Sequence, residues 1–180
     1  MIACSEQEKG NAMNTYTHFC MRLEKVLGAV VGLLMLAMVL DVSWQVVTRF
    51  FLNSPSSYTE ELARFLLIWI GLLGSAYAYR KKAHLGLDIL SEKLKGAAAR
   101  RLDIFISLVG IFFAAILMIY GGLKLVLLTL ELEQLSAALQ IKMGYVYMVL
   151  PLSGTLIVIF SLDRILSGAP APEHLADIYQ

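Results

Sequence analysis

Apolar residues fall into four long blocks divided by short polar stretches: Val26 to about Leu52, Leu62 to Tyr79, Ile104 to about Leu130, and Gly144 to Leu162. Each block approaches or exceeds the roughly 20 residues that cross a hydrocarbon layer about 30 Å thick. The pattern predicts an all-α integral membrane protein with four transmembrane helices. Between the second and third blocks, Leu85 to Ala98 is too short and too charged to span, but it is patterned. Leu87, Leu90, Leu94 and Ala97 recur at three- and four-residue spacing, with Glu92, Lys93 and Lys95 off that stripe. This predicts a short amphipathic helix at the cytoplasmic interface, its lysines near anionic lipid headgroups, with a solvated connecting helix as the alternative. The membrane domain is expected over residues 23–166, after a polar, disordered segment at 1–22 and before a cytoplasmic tail at 167–180.

Composition agrees with that pattern. Apolar residues make up 58% of the 180-residue chain and charged residues 16%, with a mean hydropathy of +0.70, which excludes an ordinary soluble domain. A net charge of +1, with the basic residues scattered through loops, gives no face that could track phosphates, so nucleic acid is not a partner. Cys4 and Cys20 form neither a CxxC pair nor a metal-ligand spacing with histidines, and neither is expected to matter structurally. The first twenty residues lack the basic and apolar regions of a secretory signal, so the first span is read as a retained helix.

Charge in the loops sets orientation. Lys9, Arg22 and Lys25 precede the first span, and Asn53 to Thr59 carries no basic residue. Arg80, Lys81, Lys82, Lys93, Lys95, Arg100 and Arg101 lie between the second and third spans, whereas Glu131 to Lys142 has one lysine against Glu131 and Glu133. Both termini are therefore expected in the cytoplasm, with Arg80, Lys81 and Lys82 as the topological anchor.

Several polar groups lie within the spans. Asp41, Gln45, Thr48 and Arg49 stand at i, i+4, i+7 and i+8 on one helical face. Charge in lipid is costly and turns toward protein or water, so the stripe is expected to face a partner helix as interhelical glue, with an ion pathway as the weaker reading. Ser57-x-x-Glu60 has capping-box spacing, with Thr59 as a rival cap. Glu60 and Glu61 occupy the first turn of the second helix, where the dipole favours them, and Arg64 is placed to pair locally. Gly71, Gly74, Ser75 and Ala78 make a flat face suited to helix packing, and Gly28 with Gly32 a smaller one. Tyr77, Tyr79, Tyr145 and Tyr147 read as interfacial aromatics, and Pro151 as a mild kink.

The series Gln45 and Arg49, Ser54-Pro55, Glu60-Glu61-Leu62-Ala63-Arg64, Gly71 and Gly74, Arg80, His84 and Asp88 resembles the small membrane subunit of tripartite ATP-independent periplasmic (TRAP) transporters, the DctQ-like family. The likeness extends from about Leu23 to Leu166. It implies a bacterial inner-membrane, non-enzymatic small permease that binds a separate large membrane subunit as a fixed scaffold. The transport implied is sodium-driven uptake of an organic acid, such as a C4-dicarboxylate or a sialic acid, delivered by a periplasmic substrate-binding protein. Asp41, Gln45, Arg49, Glu60, Glu61, Arg64, Gly71, Gly74, His84 and Asp88 are then candidates for partner contact or structure. His84 and Asp88, at i and i+4, could share a metal, but two ligands make a weak site; orienting the interfacial helix or meeting the large subunit is the preferred reading. The residues themselves agree on chemistry: no phosphate-binding loop, no nucleophile with a base and no metal-ligand cluster is legible, so neither an enzyme nor a resident cofactor is expected. The competing readings are a self-sufficient homo-oligomeric transporter or channel, and a membrane-embedded enzyme or a quinone or haem protein, haem being disfavoured by the lack of mid-membrane histidines.

Overall fold

The computed structural model describes residues 2–51, 57–81 and 97–167. Helix α1 (Ile2–Phe51) and α2 (Ser57–Arg80) form an antiparallel hairpin. The third span is built from α3 (Ala97–Phe113), a π-helical segment (Ala114–Gly121) and α4 (Gly122–Glu131). A structured loop leads to the fourth span, α5 (Met143–Tyr147) followed by α6 (Val149–Ser167). Among the described residues four helices are long and apolar enough to cross a membrane, Tyr16–Phe51, Ser57–Arg80, Ile104–Glu131 and Met143–Ile165. The interfacial helix expected over Leu85 to Ala98 falls almost wholly outside the described residues.

Helix α1 corrects one expectation. It runs unbroken through residue 22, where a disordered segment was expected, and Tyr16, Thr17 and Cys20 lie against α6 or its charged end. The physical reason is a seam that begins earlier than the apolar block. Cys20, Glu24, Leu27, Val31, Leu34, Met38, Asp41, Gln45 and Thr48 are all shielded and alternate four and three residues apart, the 3.5-residue repeat that keeps one helix edge against a neighbour. Because the seam contains Glu24 and starts among polar residues, hydropathy alone places its beginning too late.

The spans pack as a slab rather than a closed bundle. Helix α2 packs on both α1 and α6, α6 packs on α2, on the early part of α1 and on the third span, and α1 and the third span share no extended contact. The core cluster joins Leu27 of α1, Leu73 and Ala76 of α2, and Val149, Leu156 and Phe160 of α6. Close approach of the third and fourth spans depends on missing side chains. A Cβ on Gly154 would stand 2.7 Å from Met118 Cβ, one on Gly144 2.5 Å from Leu130, and one on Gly122 3.0 Å from Leu150 Cβ. Gly154 thus meets the π-helical segment, whose wider turn the sequence pattern does not announce.

Polar side chains join the helices where hydrocarbon offers no water. Ser153 Oγ donates to the Leu72 carbonyl at 2.7 Å, and Trp69 Nε1 donates to the Val146 carbonyl at 3.2 Å. The fourth span continues through Met148, which keeps helical dihedrals and an N–H bond to the Gly144 carbonyl at 3.1 Å, so Pro151, which has no N–H to give, loosens the turn between α5 and α6 without breaking the span. Tyr79 joins two helices: Ser161 Oγ donates to its hydroxyl at 2.8 Å. Tyr77 packs on Gly28, with ring atoms from 3.0 Å of the position a Cβ would take.

Candidate functional site

Charge is organised at the two ends of α2. Glu61 and Arg80 are nineteen residues apart in the sequence, which at 1.5 Å per residue is about 28 Å, close to the hydrocarbon thickness.

At one end Arg80 is the hub. Its guanidinium meets Asp163 Oδ2 of α6 at 2.6 Å and Glu24 Oε2 of α1 at 3.2 Å, and it lies 5.6 Å from the centroid of the Phe160 ring. Side-chain exposure is 17% for Arg80 and 3% for Asp163, so this is a largely dehydrated pair whose members depend on each other. Lys81 pairs with the other oxygen of Glu24. That contact holds the Lys81 ammonium above the ordinary lysine range, so at the alkaline end the pair loosens only as pH rises through the raised value. Tyr16 donates to the Ile159 carbonyl at 3.1 Å, and Cys20 is fully buried. Arg80 and Lys81, together with Glu24 and Asp163, lock three helices. Sequence reading missed Glu24, Asp163 and Cys20 as members. The available signal was Asp163, a carboxylate near the end of an apolar helix that needs a cation.

At the other end the two adjacent carboxylates diverge. Glu60 pairs with Arg64 along its own helix, both more than half exposed, a contact that contributes little. Glu61 reaches across to the loop between α4 and α5 and accepts from the backbone N–H of Ala137 at 3.0 Å, Ala138 at 2.8 Å and Leu139 at 2.7 Å. The loop is closed by Ser136 N–H to Ile141 O and Met143 N–H to Gln134 O, each 2.9 Å. Glu133 and Gln140 take left-handed backbone conformations, φ 46° and 54°. Arg49 is exposed and makes no ion pair among the described residues.

Asp41, Gln45 and Thr48 do face inward on the α1 seam, Thr48 being buried. Thr48 bonds back to the Gln45 carbonyl at 3.0 Å. Asp41 Oδ2 is buried without a hydrogen-bond partner. Gly71 and Gly74, expected to pack on a helix, meet nothing: a Cβ at either position would have no neighbour within 4 Å, and the same holds for Gly32. The face of α2 used within the chain is that of Leu73 and Ala76. Lys82, His84 and Asp88 lie outside the described residues. No group of three or more His, Cys, Asp or Glu side chains able to hold a metal occurs among the described residues.

Four apolar helices in a slab, joined by serine and tryptophan hydrogen bonds and closed by charge at both ends, define a multi-pass helical membrane protein. The sequence profile described as "Tripartite ATP-independent periplasmic transporters, DctQ component" matches residues 38–171. The chain is 32% identical over 155 residues to the sialic acid TRAP transporter small permease protein SiaQ of Vibrio cholerae, covering 80% of this chain and 85% of that protein. It is 31% identical over 100 residues to the C4-dicarboxylate TRAP transporter small permease protein DctQ of Rhodobacter capsulatus, covering 55% and 43%. Against the isethionate TRAP transporter permease protein DctMQ of Oleidesulfovibrio alaskensis it is 29% identical over 125 residues, 66% of this chain and 20% of that longer protein. The chain belongs to the DctQ family: it is a small permease subunit of a TRAP transporter, an inner-membrane protein and not an enzyme.

Proposed function

We propose that this subunit is a fixed scaffold for a separate large membrane subunit, in sodium-driven, binding-protein-dependent uptake of an organic acid. The observation that carries this reading is the match to the Vibrio cholerae small permease over most of both chains, joined to a slab fold whose outer faces are free to meet another membrane protein. Relatives named for sialic acid, C4-dicarboxylate and isethionate transport are all named for anionic solutes, which supports an organic acid as the cargo. The longer protein named DctMQ, with this region as one fifth of its length, supports a large permease as the partner.

The basic end of α2 faces the cytoplasm in this reading, with both termini on that side, and the loop held by Glu61 faces the periplasm. Loop charge supports this orientation. It places the Glu61 loop on the side from which the binding protein delivers solute.

The test is reconstitution. Proteoliposomes containing this chain with its large subunit and binding protein are expected to show sodium-dependent solute uptake, and this chain alone none. Flux through the chain alone would overturn the scaffold reading in favour of a homo-oligomeric transporter. Orientation is read by Gln134→Cys, whose position is exposed: a membrane-impermeant thiol reagent added from the periplasmic side is expected to label it.

A further inference from the structure

Two neighbouring carboxylates open α2, and only one leaves its helix. Glu60 stays with Arg64, while the Glu61 carboxylate takes three consecutive main-chain amides from a loop 76 to 78 residues further along. Consecutive N–H groups converging on one point form an anion-binding nest. Donation to an ionised acceptor makes such bonds shorter and stronger than neutral ones, and the bond to Leu139, at 2.7 Å, is at the short end of the range.

The loop is shaped around that point. Gln140, at φ 54°, turns the chain directly after the third amide, and the two cross-loop hydrogen bonds fix its arms. Ser136, 3% exposed, lies beside the same carboxylate, and rotation of its hydroxyl would add a fourth donor. Since the three donors are backbone, the nest recognises the carboxylate group itself and not a particular side chain.

We propose that the amides of Ala137, Ala138 and Leu139 form a carboxylate-binding site whose resident ligand is Glu61, which makes Glu61 the positioning residue of the 132–142 loop. With the nest filled, the connection between the third and fourth spans is tied to the first turn of α2. An empty nest gives its three N–H groups to water in place of one carboxylate that joins them to α2, and the loop opens. This assignment stands apart from the scaffold reading, since it concerns how one loop of the chain is held.

The experiment is amide hydrogen exchange on the full chain in lipid nanodiscs, resolved to the loop peptide. Glu61→Gln keeps the shape but removes the charge and turns an N–H₂ toward the nest; Glu61→Ala empties it. Both are expected to speed exchange at 137–139 by at least about tenfold, with α2 and α6 unchanged, whereas Glu60→Gln leaves the loop as it was. Formate in excess is expected to slow exchange again in Glu61→Ala and to do nothing in the wild type. Chloride at the same ionic strength should give no rescue. Unchanged loop exchange in Glu61→Ala would overturn the site, as would equal rescue by chloride, which would show screening and not carboxylate recognition. Faster exchange spread across α2 and α6 in both variants would overturn it too, because the loss would be global.

Discussion

Arg80 shows how far a residue can exceed its sequence role. As a cation at the end of an apolar block it reads as a topological anchor, yet its guanidinium sits between Glu24 and Asp163. Arg80→Ala strands the buried Asp163 carboxylate and is expected to destabilise the subunit by about 3 kcal/mol, read as a lowered thermal midpoint in detergent. Replacing the pair together, Arg80→Met with Asp163→Leu, should restore most of that loss, because breaking a buried pair costs more than exchanging it for apolar packing. If the double variant is no more stable than Arg80→Ala, the pair is not the source of the loss. Asp41 is the opposite case. Its Oδ2 has no partner to lose, so Asp41→Asn, which removes a buried unpaired charge, should leave the isolated subunit at least as stable as the wild type. A reduced yield of the complex with the large subunit, at undiminished subunit stability, would identify Asp41 as a group that meets a donor on that partner. The partners of Arg80 were not legible because Glu24 and Asp163 are 139 residues apart in sequence, and only packing makes them neighbours.

For the helices, the small residues divide into two sets that the sequence does not distinguish. Gly154 is pressed against Met118 and the Ala114 carbonyl, and neither a Cβ nor a main-chain oxygen can swing aside. Gly154→Ala is expected to cost about 1–3 kcal/mol through overpacking, measured by thermal unfolding. Gly71→Ala and Gly74→Ala enter open space, so the same measurement should show no loss, and Ala's better helix propensity should add up to about 1 kcal/mol at each. Should that face be covered by the large subunit, these two variants will weaken co-purification while the subunit itself stays stable. Both sets sit in apolar helices, and a glycine's worth depends on what lies opposite. The α1 seam was half legible: Asp41, Gln45 and Thr48 were recognisable as one face, and the same four-three alternation extends back to Cys20. Its earlier part was missed because Glu24 makes the stretch look like the end of a loop.

Across the whole molecule, α2 is the strut. It packs on both α1 and α6, and its ends are tied by charge to three other elements: α1 and α6 at Arg80, and the α4–α5 loop at Glu61. Such a slab leaves α1 and the third span with broad uncovered faces, which suits a subunit that works beside a larger membrane protein. Co-expression with the large subunit is accordingly expected to raise the recovered amount of this chain several-fold over expression alone, measured by quantitative blotting of membranes. Equal recovery would argue that lipid alone is sufficient cover for those faces.

The amino-acid sequence by itself determined the class of the protein, the number of spans and the family. These depend on summed hydrophobicity over windows of about 20 residues and on the order of a few marked residues, both one-dimensional properties. It also put Arg64 within reach of the two first-turn carboxylates, since three or four residues on a helix is a fixed distance. Only the tertiary structure decided which carboxylate crosses to the loop, which glycines are in contact and which cation locks which helices. Those outcomes follow from the relative rotation and depth of helices far apart in the chain, set by the whole packed interface. One turn of α2 illustrates the division: Glu60 and Glu61 are adjacent and chemically identical, and the rotation of about 100° between them sends one to its own helix and the other to the loop.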